Sequence, residues 1–427
     1  MRIAIVTENW LPKVDGVTRT LSRLLEHLQA NGHNVLLLGP ESGMTEFAGA
    51  EILGTYGIPF LPYPELKLNL WRPAFTERLL SFAPQVIHIV DPVWLGPAAL
   101  FMIQRYLPNT PIVSSYHTNL ATYCHHFGWG WFTPLMWRWN QFCHSQCLYT
   151  ACPSPSTKRM LELHGFDHVR LWPRGVDMDL FSPLHRSLEL REQWMGLSSL
   201  MDDNKKKNQD KCVLLYVGRI SFEKNIGLLL DAYKEMDHSK CHLVCVGHGP
   251  AFDDIQQQYC INKSNQDGDS VLPITFTGYL QGTDLATAYA SADMFVFPST
   301  TETFGQVVLE AMASGLPVVG LQAEGICDLV EDEYSGLLLD GDDVTGYKNN
   351  MERLVNRPLE RQHMGKNALM ASKSYTWPAA MNQMVQVYKD AIGDSKISDD
   401  RINDVVSTVD RLDDSDSGVE EDYLLMK

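Results

Sequence analysis

Short apolar runs alternating with amphipathic stretches constrain this chain most, because that rhythm starts twice. The first series has apolar runs at 3–6, 35–38, 86–90 and 111–115, with a helical pattern over 17–30. The second begins at 212–218 and continues through 242–247, 274–277, 294–297 and 317–320. Short strands that are apolar throughout are buried on both faces, and parallel pairing requires the intervening helices as crossovers. The pattern therefore predicts an α/β chain of two Rossmann-like, doubly wound domains. The two series differ in sequence, so this is no repeat array. The seam falls between 184 and 211, where 198–211 reads as a polar, mobile insertion. Domain limits follow at 1–190 and 191–375, with 376–392 as a final amphipathic helix packing back toward the first domain. Residues 393–427 hold 11 acidic and 4 basic side chains, which reads as a disordered acidic tail.

Composition narrows the function. A chain of 427 residues exceeds one compact core and suits two domains. Its net charge of −17 is unevenly placed, because residues 1–190 carry 14 Lys+Arg against 14 Asp+Glu. An acidic second half speaks against nucleic acid, having nothing with which to displace phosphate counterions. The nine cysteines are odd in number and include no C-x-x-C. The pairs Cys143/Cys147 and Cys241/Cys245 fall in helix-like and strand-like segments, so reduced, buried thiols in the cytoplasm are expected. The start of the chain reads as a strand rather than a signal peptide. A charge-free apolar run at 94–103 contains Gly96 and Pro97 and is too short to span a bilayer.

Ligands of open α/β sheets bind beyond the carboxyl ends of strands, so the residues just after strands carry the chemistry. Residues 294–297 form an apolar strand that stops at Pro298. A polar turn ending in Gly305 and a helix over 306–314 follow. Such a strand–turn–helix presents N–H groups and the helix dipole to an anion. Glu302 in the turn and Glu310 in the helix are out of place beside a phosphate unless they face sugar hydroxyls; otherwise they are surface glutamates. After the 212–218 strand, Arg219 offers a forked donor and Lys224 a point charge, a pair able to clamp a diphosphate with Glu223 between them. Gly16 opens the first helix, either as turn chemistry or to let backbone approach a phosphate. His117, Asp91 and Arg174 each sit at a strand edge. Asp177-Met-Asp179 is a D-x-D, but so are 340–342 and 267–269, and Asp177 reads as a turn or cap. Cys124, His126, Cys143 and His144 fit no zinc module well. No metal site and no obligatory cofactor are expected.

In their order along the chain, Asp15-Gly16-Val17, Tyr116-His117-Thr118, Arg174-Gly175-Val176-Asp177, Gly218-Arg219 with Glu223-Lys224, and Glu302-x7-Glu310 resemble glycosyltransferase family 4, a family of GT-B fold. The likeness covers about 1–392. Within that family the chain is similar to sulfoquinovosyl-diacylglycerol synthases and GDP-mannose-dependent α-mannosyltransferases, through Tyr123, Leu171-Trp172, 277–282 and Tyr289-Ala290-Ser291. The resemblance implies two domains facing a cleft and a retaining hexosyl transfer, of sulfoquinovose or mannose, from a UDP-sugar or GDP-sugar to a glycerolipid. It implies that Arg219 and Lys224, helped by the Gly16 backbone, take the diphosphate; Arg174, from its place at a strand end, is a candidate anion partner on the donor side. Glu310 would hold the ribose and Glu302 the transferred sugar, with the backbone of Phe304, Gly305, Gln306 and Val307 around sugar and phosphate. Leu280 would lie by the base and His117 by the sugar's C6 side. Departures occur at Glu324-Gly-Ile-Cys327-Asp, where the family usually has Gly-Gly-Ile-Pro-Asp, and at Asp91.

Residues 127–142 place four of the ten tryptophans within eleven residues. Such a cluster either packs as a core helix or lies at a lipid interface. With lipid acceptors in the similar enzymes, the interface is expected, giving Tyr123, Trp129, Trp131 and Asp91 as acceptor-side residues and a peripheral membrane location. Two rivals remain, a nucleotide-sugar epimerase on the same fold and a non-catalytic nucleotide-sugar-binding protein.

Overall fold

The computed structural model describes residues 1–12, 15–60, 63–119, 121, 130–196, 211–260 and 272–416. The chain divides into two compact units interleaved in sequence. One comprises Met1–Ser115, Phe142–Ala151 and Gln383–Lys427, and the other Tyr116–Gln141 and Cys152–Asn382. The proposed insertion at 198–211 lies, except for Lys211, outside the described residues.

The first unit holds β1 (Arg2–Thr7), β2 (Asn34–Pro40), β3 (Glu46–Phe47), β4 (Ala50–Thr55), β5 (Gly57–Phe60), β6 (Tyr63–Asn69), β7 (Val86–Val90), β8 (Ile112–Ser115) and most of β9 (Tyr149–Cys152). Its main sheet runs β9-β8-β7-β1-β2-β4-β3, parallel from β9 to β4 with β3 antiparallel at the edge. Ile3, Ala4, Ile5 and Val6 are fully buried, as an all-apolar central strand requires. The helix Gly16–Ala30 covers the sheet with Leu21, Leu24, Leu25 and Leu28, and Asp15 caps it by accepting from the Thr18 N–H at 2.8 Å. That spacing is the apolar stripe of a surface helix. β5 and β6 form a separate antiparallel ribbon that a search for apolar runs passes over, because prolines and charges interrupt it.

The last helix runs Trp377–Asp416, past the 392 at which the sequence pattern places its end. Helix thus replaces the disorder expected over 393–416, while 417–427 lie outside the described residues. Apolar residues recurring at Ile397, Ile402, Val405, Val409 and Leu412 continue the helical period through the acidic stretch. Within the first unit, Tyr388 on this helix meets the buried His88 of β7, with the hydroxyl 2.8 Å from Nδ1, and His88 Nε2 lies 2.8 Å from Ser115 Oγ.

The second unit holds β10 (Val169–Leu171), β11 (Cys212–Val217), β12 (Cys241–Val246), β13 (Ile274–Gly278), β14 (Met294–Phe297), β15 (Val318–Leu321) and β16 (Gly336–Leu339). Its six-stranded sheet runs β13-β12-β11-β14-β15-β16 and is parallel throughout. β11 and β14 lie side by side while their successors step away in opposite directions. This is the topological switch point at which ligands of such sheets bind. In the first unit, β1 and β7 form the equivalent point.

Cys212 and Cys241 face each other across β11 and β12 as free thiols. Burial pushes both up to about 12, as expected for inert core thiols.

Candidate functional site

The turn after β14 is built around Gly305, which stands at φ 87° and ψ 50° immediately before the helix Gln306–Ala313. Only glycine takes that left-handed conformation without strain. The helix then presents the N–H groups of Gln306 and Val307 at its open end. Within the turn, Lys224 Nζ lies 2.5 Å from Glu302 Oε1 and 3.4 Å from Thr301 Oγ1. The two charged side chains are only 15% and 19% exposed. Lys224 belongs to the loop after β11 and Glu302 to the turn after β14, so the pair bridges the switch point.

Arg219, on the same loop as Lys224, is more open, with its guanidinium 3.9 Å from Glu223 Oε1. The loop's backbone is held tightly. A Cβ on Gly247 would lie 2.0 Å from the Gly218 carbonyl oxygen, and one on Gly249 would lie 2.2 Å from that of Ile220. Tyr216 also donates to the Arg219 carbonyl at 2.9 Å. Arg219 thus projects from a rigid base.

Glu310 is buried, and its Oε2 lies 3.3 Å from the hydroxyl of the equally buried Tyr289. Phe304 is buried edge-on against Tyr375. Leu280 packs at the margin of the core.

The same unit brings His117 and Arg174 to this turn. Arg174 Nη2 is 2.8 Å from His117 Nδ1, and Nη1 donates to the Trp172 carbonyl at 2.8 Å. A guanidinium only donates, so Nδ1 must accept and the ring proton sits on Nε2. Trp172 completes the arrangement, edge-on to His117 and under the Arg174 cation, whose Cζ is 4.8 Å from the ring. Arg174, read from sequence as an anion partner, is buried and gives part of its guanidinium to fixing the His117 tautomer. The Thr303 hydroxyl donates to the His117 carbonyl at 2.9 Å, and Gln306 Nε2 donates to the Gly175 carbonyl at 3.1 Å.

Sequence reading missed the support beneath the turn. Thr157 Oγ1 touches both the Thr303 carbonyl and Glu324 Oε1, and Asp328 Oδ2 accepts from the Ser156 N–H at 3.0 Å. The only signal in the sequence was Glu324 itself, standing where a glycine was expected.

In the first unit, Gly16 opens its helix with nothing within 4 Å of where a Cβ would sit. No packing there demands glycine. Asp91 is buried at φ 44°, its N–H donating to the Ser115 carbonyl at 2.9 Å. Glu8, beyond β1, was not singled out from sequence. It accepts from the N–H groups of Trp94, Leu95 and Gly96 at 2.5, 2.6 and 3.3 Å. Burial pushes its carboxyl up, against the pull of those backbone bonds.

Tyr123 and Trp129 lie outside the described residues. Trp131 is 81% exposed. Asp177 caps a turn, accepting from the N–H groups of Asp179 and Leu180 at 3.2 and 3.1 Å. Among the described residues no three His, Cys, Asp or Glu side chains gather as a metal site would require.

Residues 14–180 match the family model for Glycosyltransferase Family 4, and 199–370 the model for Glycosyl transferases group 1. The chain is 33% identical over 402 residues to a GDP-mannose-dependent alpha-mannosyltransferase of Corynebacterium glutamicum, covering 92% of this chain and 89% of the relative. It is 31% identical over 392 residues to a sulfoquinovosyl transferase of Arabidopsis thaliana, covering 90% and 72%. An alpha-monoglucosyldiacylglycerol synthase of Streptococcus pneumoniae is 26% identical over 374 residues, covering 85% and 80%. In structure the chain is similar to sucrose-phosphate synthase from Thermosynechococcus elongatus, with TM-score 0.72, 21% identity and coverage of 92% and 99%. It is also similar to Anabaena HepE in complex with UDP, with TM-score 0.70, 18% identity and coverage of 91% and 100%. The α/β architecture is the GT-B fold.

Proposed function

The chain belongs to glycosyltransferase family 4, and from that premise we propose that it moves a hexosyl unit, with retention of configuration, from a nucleoside-diphosphate sugar to a glycerolipid. The observation that carries this reading is the Lys224–Glu302 pair, 2.5 Å apart at the head of the helix Gln306–Ala313. A cation, a carboxylate and a helix N-terminus meet at the switch point between β11 and β14. Only a ligand with an anionic part and a hydroxyl-bearing part suits all three.

Breaking the glycosyl–phosphate bond builds negative charge on the diphosphate and positive charge at the anomeric carbon. Lys224, Arg219 and the N–H groups of Gln306 and Val307 answer the first, and such preorganised charge is usually the largest catalytic contribution. Glu302 holds the sugar's hydroxyls, and Lys224 divides its charge between Glu302 and the leaving group. His117, its Nε2 proton fixed by Arg174, donates to the sugar. Glu310 holds the ribose. The departing phosphate accepts the proton of the attacking lipid hydroxyl on the same face, which retains configuration without a protein nucleophile. The chemistry asks for no metal. Relatives named for GDP-mannose-dependent mannosyl transfer and for sulfoquinovosyl transfer support mannose or sulfoquinovose as the sugar, and one named for glucosyldiacylglycerol supports the glycerolipid acceptor.

The acceptor reading draws on the helix Thr133–Ser145 and the turn before it. Trp131, in the 3₁₀ turn before the helix, is 81% exposed, and Leu135 and Trp139, 56% and 41% exposed, stand four residues apart on one face of it. Arg138 lies beside them, and no Asp or Glu occurs between Asp91 and Glu162. An apolar, aromatic face with a cation and no acid suits the surface of an anionic bilayer. From this face we assign a peripheral membrane location; among the described residues no helix is long and apolar enough to cross a membrane.

The test is transfer by purified protein. GDP-mannose, UDP-glucose and UDP-sulfoquinovose are offered with diacylglycerol vesicles, and the anomeric configuration of the product is read by NMR. One donor yields an α-linked glycolipid, and Lys224→Ala abolishes it. No transfer, together with no thermal stabilisation by any nucleotide sugar, refutes the reading.

A further inference from the structure

The loop after β15 lies directly on the 302–305 turn. Gly325 stands at φ 76°, and a Cβ there would come within 2.8 Å of both the Glu302 carbonyl oxygen and the Phe304 nitrogen. Its neighbour Glu324 reaches Thr157, a fully buried residue in the first turn of the helix Pro155–Leu163. Three oxygens surround Thr157 Oγ1, namely Ser154 Oγ at 3.0 Å, the Thr303 carbonyl at 3.0 Å and Glu324 Oε1 at 2.5 Å.

Counting protons shows what this cluster requires. The Thr157 hydroxyl has one proton to give. The Thr303 carbonyl can only accept, and so can an ionised carboxylate. If Glu324 were ionised, the single Thr157 proton would have to be shared between two acceptors, at 2.5 and 3.0 Å. A proton on Glu324 removes the conflict, because the acid donates to Thr157 and Thr157 donates to Thr303. We propose that Glu324 is carried as a neutral carboxylic acid and positions the 302–305 turn through this relay.

The surroundings agree. Burial is the largest influence and pushes the Glu324 carboxyl up, and Asp328 raises it too; the contact with Thr157, the Asn119 amide and His164 act the other way without reversing the direction. Asp328 is itself occupied by the Ser156 N–H at 3.0 Å, by the Ser156 hydroxyl and by Arg159 at 3.8 Å. On the turn, the Glu302 charge is matched by Lys224. The relay ends on Thr303, whose hydroxyl is anchored on His117, so its carbonyl and its hydroxyl are both held and Glu302 beside it is fixed. Glu324 acts through other residues and is a positioning residue. What the turn does depends on the transferase reading; the protonation state of Glu324 does not.

The first measurement therefore needs no turnover. Infrared difference spectra of wild type against Glu324→Gln, recorded where a free glutamate is fully ionised, should contain the carbonyl stretch of a protonated carboxylic acid. Its absence overturns the proposal whatever the enzyme does. The second is the pH profile of kcat with the donor found active. Glutamine keeps a donor toward Thr157 and has no proton to lose, so Glu324→Gln should keep most of the turnover and lose the alkaline limb of wild type. Glu324→Ala and Thr157→Val should each lower kcat about tenfold with KM little changed, and the double variant no further, since each breaks the same relay. An identical alkaline limb in wild type and Glu324→Gln also overturns the proposal.

Discussion

Replacing Lys224 by alanine tests the site and the fold at once. With Nζ 2.5 Å from Glu302 Oε1, an effective dielectric of roughly 20 gives a gross attraction of about 6–7 kcal/mol before desolvation. Most of that is spent on removing both charges from water, since the pair is largely sheltered. Deleting the lysine strands a carboxylate in that shelter, which costs about 1–3 kcal/mol of stability and lowers Tm by about 2–4 °C per kcal/mol in a unit of this size. The catalytic loss is separate. A preorganised charge at a developing anion is worth about 10²–10³ in kcat. Lys224→Ala should therefore lose both stability and turnover. Adding Glu302→Gln should return most of the stability, because the stranded charge is gone, and none of the activity. Thermal unfolding and single-turnover transfer read the two effects independently. Near-normal turnover in Lys224→Ala, or a double variant no more stable than the single, refutes the reasoning.

Three further outcomes follow from the geometry. Gly16→Ala should fold normally, since a Cβ there meets nothing within 4 Å; a thermal midpoint well below that of wild type would show that packing there does demand glycine. Gly247→Ala should unfold at markedly lower denaturant, because its Cβ would lie 2.0 Å from the Gly218 carbonyl at φ 133°. Burial raises the Asp293 carboxyl, but Arg191, the Val213 N–H and Arg186 outweigh it and hold the group below its ordinary 3.8. The stability it contributes is present above pH 3.8 and is lost as pH falls through the lower folded value. Asp293→Asn should flatten that part of the acid unfolding curve.

Much of this protein was decided locally. The runs at 86–90 and 294–297 became β7 and β14 with the same bounds. The helix expected over 306–314 was found at Gln306–Ala313, because an apolar run, a proline stop and a glycine in a left-handed turn each act within a few residues. What failed locally did so for a local reason. The ribbon of β5 and β6 has no apolar run to announce it, and the acidic composition of 393–416 outweighed its helical period in the reading.

The partnerships within the site belong to the tertiary structure. Arg174 meets His117 across 57 residues, Thr303 reaches His117 across 186, and Thr157 reaches Glu324 across 167. Sequence determined that Arg219, Lys224, His117 and Glu302 would follow strands and that Glu310 would stand in the helix after the turn. It could not say that Arg174 would serve the histidine, that Glu310 would lie buried against Tyr289, or that Glu324 would reach Thr157 beneath the turn. Those pairings depend on which strand ends the parallel sheet places side by side, and no spacing along the chain encodes that distance.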